Sequence, residues 1–536
     1  MEGLQFFDCN VQVGRMGYKH PLQMWRTEDI LAEMERTGIA GALVYHGLSK
    51  THAPMYGNRL LEQELAKSPR LFGCWAVLPE HVGDFMSPDE LISEMQLHHI
   101  KAAKIFQGSH AFNLDSWTTE RLCSALSQAQ IPLIMDAQEA NYMMNEYEWE
   151  RVAGLLQRHP DLRVILHNLA WGQERRLFPI LDRFANLYVE MSTLQANEFI
   201  EYTYQRFGAD QLLFGSGMPF KSPGAGRAFI DYARIPDEAK MKIAGGNLSA
   251  LLGVKPPAAA MPEQDEITAR ASRGLPILVP VLDSHTHIIE DHAGTGSGWP
   301  MIGGDIDPMV ELYRSIGISK MSVAPWVGVN GGDTAAGNQI AELARDRYPD
   351  EVEAYVRIDP NYGEDVETEA RKWHLQKRFK GMKPYYFNER IPYTAKLYEP
   401  WWKLGNSLRL YALVDPGQQS DEDYMDQIDT LASLYPEISI FMDHGGRSFD
   451  IAVKYAEVAK RHPHVSIQLT YTSVTLGVIE YLTAEVGAEK VLFGTDSSMR
   501  DPRPQVGWLA YANLPLEDKK LIFGGNFQKI LSRSGL

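Results

Sequence analysis

The sequence predicts an α/β protein built as two tandem (β/α)8 TIM-type barrels. Three observations carry that expectation: a length of 536 residues, an internal repeat with a period near half the chain, and eight short apolar runs in each half. A chain this long exceeds what one hydrophobic core supports, whereas two barrels of about 250 residues account for it.

The repeat is read from phrases that recur in order. LLFGSGMPF, with Gly215, answers to VLFGTDSSM, with Gly494, and IAGGNLSALLG, with Asn247, answers to IFGGNFQKILS, with Asn526. Both pairs are 279 residues apart, as are Lys104 and Lys383, and Asp136 and Asp415. Asp8 answers to Asp283 at 275 residues and His167 to His444 at 277, so small insertions separate the early elements. A period of this length marks duplication of a whole domain.

In the second half the apolar runs are PVLDSHTH, KMSVAPW, EAYVRIDP, KGMKPYY, RLYALVD, SIFMDHG, VSIQLTY and KVLFGTD. The first half supplies LQFFDCN, GALVYHG, GCWAVLP, AAKIFQ, PLIMDAQ, RVILHNL, LYVEMST and LLFGSGM. Between them lie stretches such as TEDILAEMERTG and DPMVELYRSIG, whose apolar residues recur every three to four positions, as on one face of a helix. Strands alternating with helices indicate βα units on a parallel sheet. The segment GVKPPAAAMPEQDEITARASRGLP interrupts the pattern with prolines, alanines and charges. It sets the expected division: a barrel over 1–254, a linker over 255–278 and a second barrel over 279–536.

Composition excludes several classes. With 44% hydrophobic and 23% charged residues the chain is that of a globular protein. A net charge of -17 argues against a nucleic-acid partner. No basic start with an apolar signal segment and no apolar stretch of membrane-spanning length is present, so no membrane association is expected. The three cysteines, Cys9, Cys74 and Cys123, form neither a disulfide framework nor a metal-ligand spacing, and a cytoplasmic location is expected. Assembly into a homo-oligomer is left open.

In such barrels the chemistry collects at the C-terminal ends of the strands. The first run of the second half ends Asp283-Ser284-His285-Thr286-His287, and strand alternation places His285 and His287 on one face. Neutral imidazoles suit zinc and other first-row divalent ions. Asp496, ending the eighth run, supplies a carboxylate, and strands one and eight are neighbours once the barrel closes. An HxH pair alone also arises by coincidence.

The whole constellation, HxH after the first run, His444 after the sixth, Asp496 after the eighth and the GGN phrase at Asn526, resembles the amidohydrolase superfamily. It is most similar to the branch holding aminocarboxymuconate-semialdehyde decarboxylase, aromatic-acid decarboxylases, hydratases and sugar-acid lactonases. The resemblance implies that His285, His287 and Asp496 bind a divalent metal, zinc foremost with manganese as the alternative, and that His444 activates water or handles a substrate proton. At the fifth run the family's third histidine is replaced by Asp415, either a carboxylate ligand or a structural residue, since Asp136 occupies the same place in the other half. Asp496 is also a candidate proton acceptor. For His444, a buried histidine satisfied by a carbonyl is the structural alternative.

Lys383 ends the fourth run, where some amidohydrolases carry a carboxylated lysine. A direct charge toward an anionic substrate and an ion pair with Asp415 fit equally. Arg357, Arg447, Arg500 and Arg503 follow strand ends, and arginines gathered there suit a carboxylate, although each singly is the usual surface residue. Trp326, Tyr385 and Tyr386 are candidate apolar walls, or ordinary core aromatics. The expected substrate is a small anionic molecule.

The first half lacks the metal set: Asn10 and Gln12 stand for the two histidines and Gly217 for Asp496. It is expected to be a degenerate, metal-free barrel. The expected function is metal-dependent hydrolysis of a small carboxylated lactone, ester or amide in the second barrel. Nonoxidative decarboxylation or hydration of an unsaturated or aromatic acid at the same site is the alternative, and a catalytically inactive binding or scaffold protein is the third.

Overall fold

The computed structural model describes residues 3–17, 20–137, 149–259, 261–290, 299–363 and 365–536. Each apolar run overlaps one strand. In the first unit these are β1 (Phe6–Val13), β2 (Ile39–His46), β3 (Leu71–Ala76), β4 (Ala102–Ile105), β5 (Leu133–Asp136), β6 (Val164–His167), β7 (Leu187–Glu190) and β8 (Leu212–Leu213). In the second they are β9 (Val281–Thr286), β10 (Ile318–Val323), β11 (Val352–Val356), β12 (Gly381–Met382), β13 (Tyr411–Val414), β14 (Ser439–Met442), β15 (Val465–Leu469) and β16 (Val491–Phe493). Neighbours in sequence are neighbours in each sheet, all parallel. The sheets are tandem (β/α)8 barrels.

Closure depends on the ends of each sheet meeting. Val11 bridges Met218 in the first unit and Thr286 bridges Ser497 in the second. A buried aspartate clasps each seam. Asp283 Oδ1 accepts from the backbone N–H of His285 at 2.9 Å and of Thr495 at 3.1 Å, and its Oδ2 accepts from Tyr313 at 2.6 Å. Asp8 repeats the clasp, accepting from the N–H of Asn10 at 2.9 Å and of Ser216 at 3.0 Å. The repeated aspartate therefore serves the fold, and in the second unit it brings the HxH segment beside Asp496.

The strand period of two sorts the core. Phe7, Cys9, Leu43, Tyr45 and Ile165 cluster with Leu248 and Leu251 of the closing helix Asn247–Leu252, while alternate residues such as Phe6, Val44 and Leu166 cluster with the surrounding helices. In the second unit Leu282, Tyr411, Phe441 and Leu492 pack with Phe527 and Leu531 of the helix Asn526–Arg533. The stretches read as helices form Thr27–Arg36, burying Ile30 and Met34, and Ile306–Ile316, which ends at Gly317 with φ +96°.

The GGN phrase has a structural explanation in both copies. Asn526 Nδ2 donates to the carbonyls of Ala488 and Val491 at 2.7 and 2.9 Å, and Asn247 Nδ2 to those of Ala209 and Leu212 at 2.8 and 2.9 Å. Each asparagine pins the closing helix to the turn before the last strand. A Cβ on Gly524 would stand 2.3 Å from the Pro280 carbonyl, so glycine there permits close passage beneath β9.

The chain divides between Gln264 and Asp265, inside the 255–278 segment, and the parts of that segment dock on the units they adjoin. Ala259 N–H donates to Gln5 Oε1 at 3.0 Å in the first unit. In the second, Asp265 caps the helix Glu266–Ala271, and Thr268 Oγ1 donates to the Ala510 carbonyl at 2.7 Å. Composition alone could not show this docking. Among the described residues, no helix is long and apolar enough to cross a membrane.

Candidate metal centre

The structure brings His285, His287 and Asp496 together at the strand ends of the second unit, their nearest ligand atoms all within 4.8 Å of one another and all three residues buried. The tautomers follow from their partners. His287 Nδ1 lies 2.8 Å from the Ala324 carbonyl and His285 Nδ1 3.1 Å from Asp443 Oδ1, both acceptors, so each ring donates through Nδ1 and leaves a lone pair on Nε2. Those two Nε2 atoms face each other at 3.2 Å, with Asp496 Oδ1 3.1 Å from one and 3.6 Å from the other.

Two lone pairs and a carboxylate oxygen converging in a buried place repel one another unless a cation lies between them. Ligand atoms about 2.0–2.1 Å from a tetrahedral ion stand about 3.3 Å apart, close to these separations. The donor set of two imidazoles and one carboxylate is that of an open divalent site. Burial pushes both imidazoles down to about 3, the neighbouring Lys383 adding to the effect, so both are neutral as metal ligation requires.

Asp496 sits at φ +59° just after β16, a left-handed turn that aims its side chain at the histidines, and its Oδ2 pairs with Arg500. Arg500 in turn donates through Nε to Thr472 Oγ1 at 2.6 Å. Lys383 Nζ stands 3.3 Å from His285 Nε2 and 3.9 Å from Asp443 Oδ2, and burial lowers its affinity for the proton.

Beside the trio lies a second group, Asp415, Asp443 and His444. His444 Nε2 is 3.3 Å from Asp415 Oδ2 and its Nδ1 is 2.6 Å from Thr470 Oγ1. Burial raises the Asp415 carboxyl, but the bond and charge of His444 outweigh it and hold it below the ordinary value. Asp415, expected from the resemblance as a ligand, is thus placed against His444, apart from the trio.

Strand register corrects one pairing read from the sequence. Asp136 pairs with His167 across β5 and β6, while across β13 and β14 Val414 pairs with Met442, so the residue beside Asp415 is Asp443. His167 therefore corresponds to Asp443, and His444 to Asn168. Backbone and contacts agree: Asn168 and His444 have φ +55° and +57°, and Asn168 Nδ2 donates to Asp136 at 2.9 Å as His444 faces Asp415. The linear offset of 277 misplaced the turn by one residue because the connections before β6 and β14 differ in length.

Asp443 was missed by the sequence reading for that reason. Its position, a carboxylate ending an apolar run directly before His444, was the available signal. Thr470 and Tyr471, whose ring centroid lies 5.4 Å from that of His444, were missed as well because no motif marks them.

The remaining expectations are distributed differently. Trp326 packs edge-on against His287 with centroids 5.1 Å apart, at the metal trio. Tyr385 lies 5.7 Å from Lys383 Nζ. Arg357, expected to receive a substrate carboxylate, instead spends its buried guanidinium on Glu389 at 2.7 Å and on the carbonyls of Gly328 and Lys383 at 3.1 and 2.7 Å, so it anchors the strand end that carries Lys383. Arg503 is bound by Asp501, with Nε 2.7 Å from Oδ1, and Arg447 faces Asp421 at 3.6 Å. Tyr386 lies further out, lining a 480 Å³ surface cavity with Gln418 and Gln427.

In the first unit the corresponding place is filled by a hydrogen-bonded network. Asn10 Nδ2 donates to Glu190 Oε2 and Asn168 Oδ1, both at 3.1 Å, Tyr45 donates to Gln12 at 2.9 Å, and Lys104 is 3.2 Å from Asp136. Gly217 stands where Asp496 would, with φ +74°.

The chain thus holds two parallel-stranded (β/α)8 barrels, and the second carries at its strand ends a buried imidazole–carboxylate trio that could hold a divalent metal. An amidohydrolase family model matches residues 20–254 and again 276–533, and the chain belongs to that family. A search of curated proteins finds no match. Among solved structures, the chain is similar to a dihydroxybenzoic acid decarboxylase from Polaromonas sp. JS666 with bound manganese and 2-nitroresorcinol, at 14% identity and TM-score 0.40 over 48% of this chain and 97% of that one. It is also similar to 2,6-dihydroxybenzoate decarboxylase from Rhizobium, at 13% identity and TM-score 0.39 over 48% and 99%.

Proposed function

We propose that the second unit is a metal-dependent hydrolase of a small carboxylated lactone, ester or amide, with zinc, or manganese in its place, held by His285, His287 and Asp496. The observation that carries this is the convergence of the two Nε2 lone pairs, 3.2 Å apart, on Asp496 Oδ1. A divalent ion bound there would activate water for attack and polarise a carbonyl.

The chain's own groups take the remaining work. His444 is the less buried ring, and its pairing with Asp415 lets it hold a proton and return it to a leaving group. Asp496 keeps Oδ1 toward the histidines because Arg500 holds Oδ2. Three carboxylates, Asp415, Asp443 and Asp496, face two cations, Lys383 and Arg500. A divalent ion turns that net negative balance positive, which favours an anionic substrate. The first unit, with its amide network, is proposed to be catalytically inert.

The aromatic flank favours a second reaction at the same site, decarboxylation of a planar unsaturated acid. Trp326 covers His287 and Tyr471 covers His444, forming walls suited to a flat ring. The test is elemental analysis of wild type and of His285→Ala/His287→Ala, followed by a pH-stat assay with carbon dioxide detection over a panel of lactones, esters and carboxylic acids. About one metal equivalent lost in the variant, with acid released and no carbon dioxide, supports the hydrolase. Carbon dioxide release selects the decarboxylase, and full turnover in the metal-free double variant overturns both.

A further inference from the structure

We infer that Asp443 is the positioning residue of the metal centre, holding His285 through Nδ1 so that its Nε2 is presented to the ion. This rests on the metal centre proposed above. The contact is 3.1 Å and wholly buried. The carboxylate is itself immobilised, since the same Oδ1 accepts from the N–H of His444 at 2.9 Å and from Thr470 Oγ1 at 3.4 Å. A carboxylate on the far nitrogen of a ligating histidine selects the tautomer, fixes the ring plane and raises its basicity.

The two copies of the barrel supply an independent argument. Aligned by strand register, the units share Asp8 with Asp283, Lys104 with Lys383 and Asp136 with Asp415. Among the buried mouth positions at which they differ are Asn10 for His285, Gln12 for His287, His167 for Asp443 and Gly217 for Asp496. Asp443 therefore varies with the ligand set and departs from the scaffold residues that both copies keep. In the first unit an aspartate at His167 would have no imidazole to orient, because the Asn10 amide is already bound to Glu190 and Asn168.

The test titrates metal-free full-length protein with cobalt, reading affinity by chelator competition and coordination by the visible spectrum. Asp443→Ala is expected to bind cobalt about 10–100-fold more weakly with an altered spectrum. Asp443→Asn, whose amide oxygen still accepts from Nδ1, is expected to recover most of that affinity. Asp443→Ser, too short for the contact, stands in for alanine should that variant fail to fold. Unchanged cobalt affinity in the alanine or serine variant, with wild type binding, overturns the inference alone. Selective loss of a second cobalt equivalent also overturns it, since Asp443 would then be a ligand. A wild type that binds no cobalt removes the metal centre and the inference together.

Discussion

Lys383 places its ammonium 3.3 Å from the Nε2 of His285, on the lone pair that also faces His287 and Asp496. Its counterpart Lys104 lies 3.3 Å from Nδ1 of His167 and 3.2 Å from Asp136. The buried lysine is therefore common to both units, but only in the second does it border the His285–His287–Asp496 trio.

A fixed cation at that border opposes a second one. Lys383→Met is expected to tighten metal binding roughly tenfold, equivalent to about 1.4 kcal/mol, while lowering turnover of an acidic substrate. Chelator competition measures the first effect. Metal loss in the variant would instead show that the lysine is a ligand.

The pairing of Asp415 with His444 sets it apart from the His285–His287–Asp496 trio. Asp415→Asn is expected to keep its metal content and lose about 10²-fold or more in turnover, because the imidazole loses the carboxylate that orients it for proton transfer. Elemental analysis beside a pH–rate profile decides the matter, and loss of one metal equivalent would return Asp415 to the ligand set.

The buried histidines make the stability of the metal-free protein depend on pH in a defined direction. Their folded-state values lie at about 3 against 6.5 for a free imidazole. Between those values the unfolded chain binds the protons and the folded chain does not. The stabilisation is complete above about pH 6.5 and is lost as pH falls toward about 3, with a slope of at most about 1.4 kcal/mol per pH unit for each histidine. Urea midpoints at pH 7, 6 and 5 should fall more steeply for wild type than for His285→Ala/His287→Ala.

Asn526→Ala should cost about 1–3 kcal/mol, since it strips the buried carbonyls of Ala488 and Val491 of a donor. Asn247→Ala should act likewise on the first unit. Chemical denaturation checks both, and a change below about 0.5 kcal/mol in either would mean that water or a neighbour replaces the amide.

Much of the fold was legible because it depends on local periodicity. The alternation of apolar runs with amphipathic stretches marked strands that the structure contains, and the recurring GGN phrase marked a contact that both barrels repeat. Side-chain partners were less legible. Arg357 reads as a mouth arginine in sequence, yet Glu389, distant in the chain, consumes its charge. No pattern in VRIDP encodes that meeting.

By itself the sequence determined the duplication, the parallel-stranded barrels and the positions of His285, His287 and Asp496, because strand ends and the period of two already fix which residues face one mouth. Tertiary structure alone decided that Asp443 backs His285, that Asp415 turns to His444, and that His167 answers to Asp443. Those relations depend on the register between β13 and β14 and on left-handed turns at His444 and Asp496, where one residue of slip moves a side chain to another partner.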